Sequence, residues 1–146
     1  MKKLFLPKFL LMKILSTKYS AAAFNFSMLF LRVVLGLLMI SKHGYDKLVK
    51  FPTLQYQFYN FLGLGSRISL GLSIFAEVLC SLFLVIGLFT RLASIPLIIT
   101  MLVAIFGANA GKPLVESEAA LSYLAGFVVL LFCGPGRISV DGMINK

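Results

Sequence analysis

Acidic residues are scarce in this chain: five Asp and Glu stand against 14 Lys and Arg in 146 residues. Charged residues of both signs make up only 13%, about half the share in an ordinary soluble domain. That shortage, with 60% hydrophobic residues and a mean hydropathy of +0.98, excludes both a soluble globular domain and a disordered chain. Cysteine and histidine are scarcer still, two and one. They cannot build a zinc site, and neither cysteine belongs to a CxxC pair, so no metal is expected. A net charge of +9 would point to nucleic acid in a soluble protein. Here the basic residues lie mostly at the edges of long apolar runs, where they read as orientation signals and headgroup contacts. Nucleic acid is therefore not an expected partner; the lipid bilayer is.

Four apolar stretches are present, from about Phe24 to Ser41, Ile68 to Phe89, Leu92 to Ala108 and Ala119 to Cys133. Each is near the length at which a helix crosses a roughly 30 Å hydrocarbon core. None alternates as a barrel strand would, so helices are the form that satisfies the backbone in lipid. The expected fold is an all-α integral membrane protein, an antiparallel four-helix transmembrane bundle. Thr90-Arg91 reads as the link between spans two and three, which makes them antiparallel neighbours. Pro96 reads as a residue near the start of span three, and Gly134-Pro135-Gly136 as the stop of span four.

Residues 1–20 mix Leu and Phe with Lys2, Lys3, Lys8, Lys13 and Lys18. Ala21-Ala22-Ala23 would suit a signal-peptide cleavage site, but Lys8 and Lys13 interrupt the apolar stretch such a peptide needs. A retained basic segment on the membrane surface is expected. Between spans one and two, Leu54, Phe58, Phe61 and Leu62 recur at helical spacing among Gln55, Gln57 and Asn60. This pattern predicts a short interfacial helix, folded over the bundle as a lid. Residues 21–137 then form the membrane domain and 138–146 a cytoplasmic tail. With both termini cytoplasmic, the inner side holds the five N-terminal lysines, Arg91, Arg137 and Lys146. The outer side holds Lys42, Lys47, Lys50, Arg67 and Lys112.

Arg32 lies near the middle of span one and Glu77 near the middle of span two. Each charge costs roughly 2.5–3.5 kcal/mol at the bilayer centre, so a buried Arg32–Glu77 ion pair is the simplest expectation. The pair could form a polar site for a small ligand or a proton, or could simply fix the register of two helices. Arg32, Gly36, Met39 or Ile40, His43 and Lys47 share one face of span one. Ser66, Ser69, Ser73, Glu77 and Ser81 form a polar stripe on span two. Two facing stripes suggest a cavity opening outward under the lid, with Arg32, His43, Lys47 and Glu77 as ligand-binding candidates. Cys80 and Cys133 lie at different depths, beyond the reach of a disulfide, and read as packing residues.

Three stretches carry a family resemblance: LRVVLGLLMISKHGYDKL with Arg32, His43-Gly44 and Lys47; IFAEVLCSLFLVIGLFTRLA with Glu77, Gly87 and Thr90-Arg91; and EAALSYL followed by CGPGRISVD with Glu118, Tyr123, Arg137 and Asp141. Together, over about Phe24 to Asp141, the chain resembles the DoxX family of small bacterial membrane proteins. The family is named for a relative of the DoxD subunit of thiosulfate:quinone oxidoreductase. The resemblance implies a four-helix bundle in the bacterial cytoplasmic (inner) membrane. It also implies association with membrane redox systems, since some members are linked to complexes that handle thiol and oxidative stress. Distant animal relatives act as chaperones for receptor assembly. Two functions fit these residues. One is an accessory subunit of a membrane redox system that binds a quinone or small sulfur species. The other is a non-catalytic assembly factor or structural subunit that docks a membrane-protein partner or forms an oligomer. A small-molecule carrier is disfavoured by the absence of inverted repeats and broken helices.

Overall fold

A computed structural model describes residues 20–144; the basic surface segment expected over residues 1–20 lies outside the described residues but for its last residue, Ser20. Four helices are long and apolar enough to cross a membrane. They are α1 (Ala21–Val49), α3 (Ser66–Ile86), α4 (Thr90–Ala108) and the span Val115–Cys133, whose α-helical part is α5 (Glu118–Cys133). A one-turn helix α2 (Phe51–Leu54) follows α1, and α6 (Val140–Ile144) closes the described chain. Helix α1 packs on α3, α3 on α4, α4 on α5, and α5 back on α1, so the antiparallel bundle is a closed ring. Its core is built from Met28, Met39, Cys80, Leu84, Leu97, Met101, Phe127 and Leu130. Phe26, Phe30, Leu72, Phe106 and Phe132 point outward and stay exposed, as expected of faces solvated by lipid tails.

The bundle has a lid end, where α1 leads into α2, and a tail end, where α3 turns into α4 and residues after Cys133 fold back. Small residues set the contact between α1 and α3. A Cβ at Gly36 would fall 2.9 Å from the Ser81 carbonyl oxygen, and one at Gly44 would fall 3.1 Å from that of Glu77. Both helices thus approach backbone to backbone, in the manner of small-residue contacts in membranes.

Several boundaries differ from the sequence reading. Helix α1 runs well beyond Ser41, through a π-helical turn at Ile40–Gly44, to Val49. Polar residues there do not break the helix, because their side chains reach the bundle end and the helical hydrogen bonds continue. The turn between α3 and α4 is Gly87, Leu88 and Phe89, and Thr90-Arg91 already belongs to α4. Gly87 is left-handed (φ 73°), and the Leu88 N–H donates to the Phe83 carbonyl at 3.0 Å, a Schellman-type stop. Pro96 lies past the first turn of α4. The interfacial helix is shorter than expected, only Phe51–Leu54. Asn60 is extended, Leu62 has φ 52°, and Gly63 and Gly65 have positive φ, so the chain beyond α2 turns repeatedly instead of winding on. The lid is fastened by polar bonds. The Phe61 N–H donates to Ser69 Oγ at 3.0 Å, and the Gly65 N–H to Asn60 Oδ1 at 2.7 Å.

Candidate functional site: a buried ion pair and a separate arginine

Glu77 sits in a π-helical segment of α3, Phe75–Cys80, that faces the π-helical turn of α1 at Ile40–Gly44. π-Bulges shift side chains off the regular helical register and recur at functional sites. Here the shift brings Glu77, 1% exposed, against Lys47. The Lys47 ammonium donates to Glu77 Oε1 and to Ser73 Oγ at 3.0 Å, and Ser73 Oγ donates to the same carboxylate oxygen at 3.1 Å. The Lys47 Nζ also lies 5.5 Å from the centroid of the Phe58 ring in the lid. Glu77 Oε2 and the hydroxyl of Ser81, one helical turn further on, are buried with no hydrogen-bond partner among the described residues. His43 stands edge-on to Tyr123 (centroids 5.5 Å apart, 89°), and Tyr123 stacks on Phe127 at 6.0 Å. The pair therefore lies below a lid aromatic, at the lid end of the bundle.

The expected Arg32–Glu77 pair does not form. Glu77 is level with Gly44, whereas Arg32 reaches Gly87. Along a helix these levels differ by roughly 15–18 Å. Arg32 is 2% exposed and donates through Nη2 to the carbonyl of Ile138 in the returning tail. A Cβ at Gly87 would land on its guanidinium, so glycine makes room for the charge. Nε and Nη1 of Arg32 are buried with no hydrogen-bond partner among the described residues, and Asp141 supplies the nearby negative charge. Asp141 also accepts from the N–H groups of Phe89 (2.8 Å) and Thr90 (2.9 Å), which caps α4. Residues 138–144 are thus built into the bundle end. Loop residue Arg137 is tied down too, its N–H donating to Asn25 Oδ1 at 2.8 Å.

Of the four candidate residues, the structure joins Lys47 with Glu77, places His43 on a neighbouring aromatic pair, and sets Arg32 apart. The polar stripes meet in direct contact at Gly44 and Glu77 rather than across an open cavity. Ser69 fastens the lid and Ser73 completes the ion pair. Both cysteines are free thiols; Cys80 is buried in the core, whereas Cys133 is exposed and so does not pack. Two roles were missed in the sequence. Asp141 caps a helix that begins some fifty residues earlier, and Gly87 accommodates Arg32; no local spacing signals either contact.

The chain is 32% identical over 84 residues to an uncharacterized membrane protein of Mycobacterium tuberculosis, Rv3486, an alignment covering 48% of this chain and 52% of that protein. It thus spans about half the length of this curated relative. No solved structure matches. Residues 27–110, which hold α1, the lid, α3 and α4 with both Arg32 and the Lys47–Glu77 pair, match DoxX, and on that match the chain belongs to the DoxX family.

Proposed function

We propose that this protein is an accessory subunit of a membrane redox system and that Lys47, Glu77 and Ser73 hold a quinone headgroup. The observation that carries this reading is Glu77 Oε2, a carboxylate oxygen buried beside a lysine ammonium and left without a partner. Polar atoms in this state are costly to bury and are usually satisfied by something. Lys47 and Glu77 together carry no net charge, which favours a neutral, dipolar ligand. A small sulfur oxyanion would meet the Glu77 carboxylate as well as the Lys47 ammonium. The Phe58 ring and the His43–Tyr123 pair supply flat apolar surface near the polar atoms. Lys47 would donate to a quinone oxygen while the Glu77 carboxylate holds its ammonium in place. A bound quinone would carry electron pairs between a partner subunit and the membrane pool. The reading places the protein in the bacterial inner membrane with both termini cytoplasmic.

The test is extraction in mild detergent followed by mass spectrometry of co-purifying small molecules, with thermal unfolding in the presence of a short-chain quinone. Retained quinone, and a rise in melting temperature that Glu77→Gln abolishes, are expected. Neither retention nor a rise in the wild type would overturn the reading. A stoichiometric protein partner without quinone would favour the alternative, an assembly or structural subunit in which Lys47–Glu77 only fastens α1 to α3.

A further inference from the structure

At the tail end, away from the Lys47–Glu77 pair, a cleft of about 770 Å³ opens between the start of α4 and the segment after α5. Its wall includes Thr90, Arg91, Leu92, Cys133, Arg137 and Asp141. Both arginine side chains are exposed. One Nη of Arg91 donates to the Phe132 carbonyl at 3.2 Å, which holds that guanidinium beside the end of α5. The Arg137 backbone is tied to Asn25, which fixes the loop that carries the second guanidinium. The Asp141 carboxylate in the same wall accepts from the Phe89 and Thr90 amides and faces Arg32, so one carboxylate stands beside two exposed guanidinium groups. Two exposed guanidinium groups thus line one cleft at the end of a 19-residue helical span.

We propose that this cleft binds the phosphate of an anionic phospholipid. Arg91 and Arg137 supply the charge. The volume exceeds what a bare phosphate fills and suits a glycerophosphate headgroup. Leu92 (66% exposed) and Phe132 (76% exposed) lie beside the cleft on the lipid-facing side, where acyl chains would continue from the headgroup. Basic pockets between membrane helices at this depth are the usual setting for anionic headgroups.

Cys133 gives the intact wild-type chain its own reporter. It is an exposed thiol in the cleft wall, while Cys80 is buried and silent in the folded protein. In micelles of a neutral detergent, added phosphatidylglycerol is expected to slow maleimide labelling of Cys133 severalfold. Phosphatidylcholine and inorganic phosphate should leave the rate unchanged. Arg91→Gln with Arg137→Gln should weaken the phosphatidylglycerol effect about tenfold. Lys112→Gln, at the lid end, should not alter it. Should the double variant lose its helix content, Arg137→Gln alone is read, with a smaller weakening in the same direction. Equal protection by phosphatidylcholine, or equal weakening by Lys112→Gln, would overturn the site. Protection by inorganic phosphate alone would overturn its assignment to lipid.

Discussion

Glu77 is costly to bury in this bundle, since an isolated carboxylate in hydrocarbon is opposed by several kcal/mol of lost hydration. Its compensation is Lys47 and Ser73, both acting on one carboxylate oxygen. Breaking the pair from either side leaves an uncompensated buried charge and should cost about 3–5 kcal/mol. Lys47→Met with Glu77→Leu should cost no more than either single substitution, giving a coupling of about 3 kcal/mol or more in a double-mutant cycle measured by unfolding in detergent. Arg32→Met with Glu77→Leu should be additive within about 0.5 kcal/mol, because the two side chains share no partner. Strong coupling in the second cycle would contradict the separation of Arg32 from Glu77. That Arg32 and Glu77 lie inside the spans is legible from the sequence, whereas Lys47 reads as an outer-side residue and its meeting with Glu77 is not legible. The apolar run of span one stops at Ser41, so its midpoint falls near Arg32. The helix itself continues to Val49, which moves Arg32 toward the tail end and brings Lys47 level with Glu77.

At the scale of elements, helix existence is readable from hydropathy, whereas helix ends depend on contacts formed at long range. The α3–α4 turn illustrates this. Gly87 needs a left-handed backbone, and a side chain there would also strike the Arg32 guanidinium. Gly87→Ala should therefore cost about 2 kcal/mol or more, above what the backbone alone would impose. Gly71 is the control, an exposed glycine of α3 where an added Cβ would meet nothing within 4 Å. Gly71→Ala should be neutral or slightly stabilising, as alanine is the better helix former. Asp141→Ala removes the cap on Phe89 and Thr90 and the negative charge near Arg32. A loss larger than the usual ~1 kcal/mol of a helix cap is expected from the same unfolding assay. An effect no larger than an ordinary surface substitution would show that the tail does not hold the bundle end. The lid escapes sequence reading for a related reason: its apolar spacing is helical through Phe61 and Leu62, but α2 ends at Leu54 and the backbone at Asn60, Leu62, Gly63 and Gly65 turns the chain where that spacing continues.

For the whole molecule, a closed ring of four antiparallel spans puts residue 20 and residue 144 at the same end, and the bond from Arg137 to Asn25 joins them there. Which side of the membrane that end faces follows from the basic residues near the span ends. The tail end carries Arg91 and Arg137 and lies next in sequence to five lysines, Lys2, Lys3, Lys8, Lys13 and Lys18. At the lid end, Lys47 is drawn into the bundle by Glu77 and no longer belongs to the loop that the insertion machinery reads as flanking charge. Lys42, Lys50, Arg67 and Lys112 remain, fewer than at the tail end, so the tail end should face the cytoplasm. A reporter active only in the cytoplasm should work when fused after Lys146, and one active only in the periplasm should not. Fusions in the 55–60 lid segment should give the reverse pattern. Replacing Lys2, Lys3, Lys8, Lys13 and Lys18 by Gln weakens the bias at its source. Measurable periplasmic activity should then appear at the Lys146 fusion, whereas Lys112→Gln should leave the pattern intact. Periplasmic activity after Lys146 in the unaltered chain would reverse the topology.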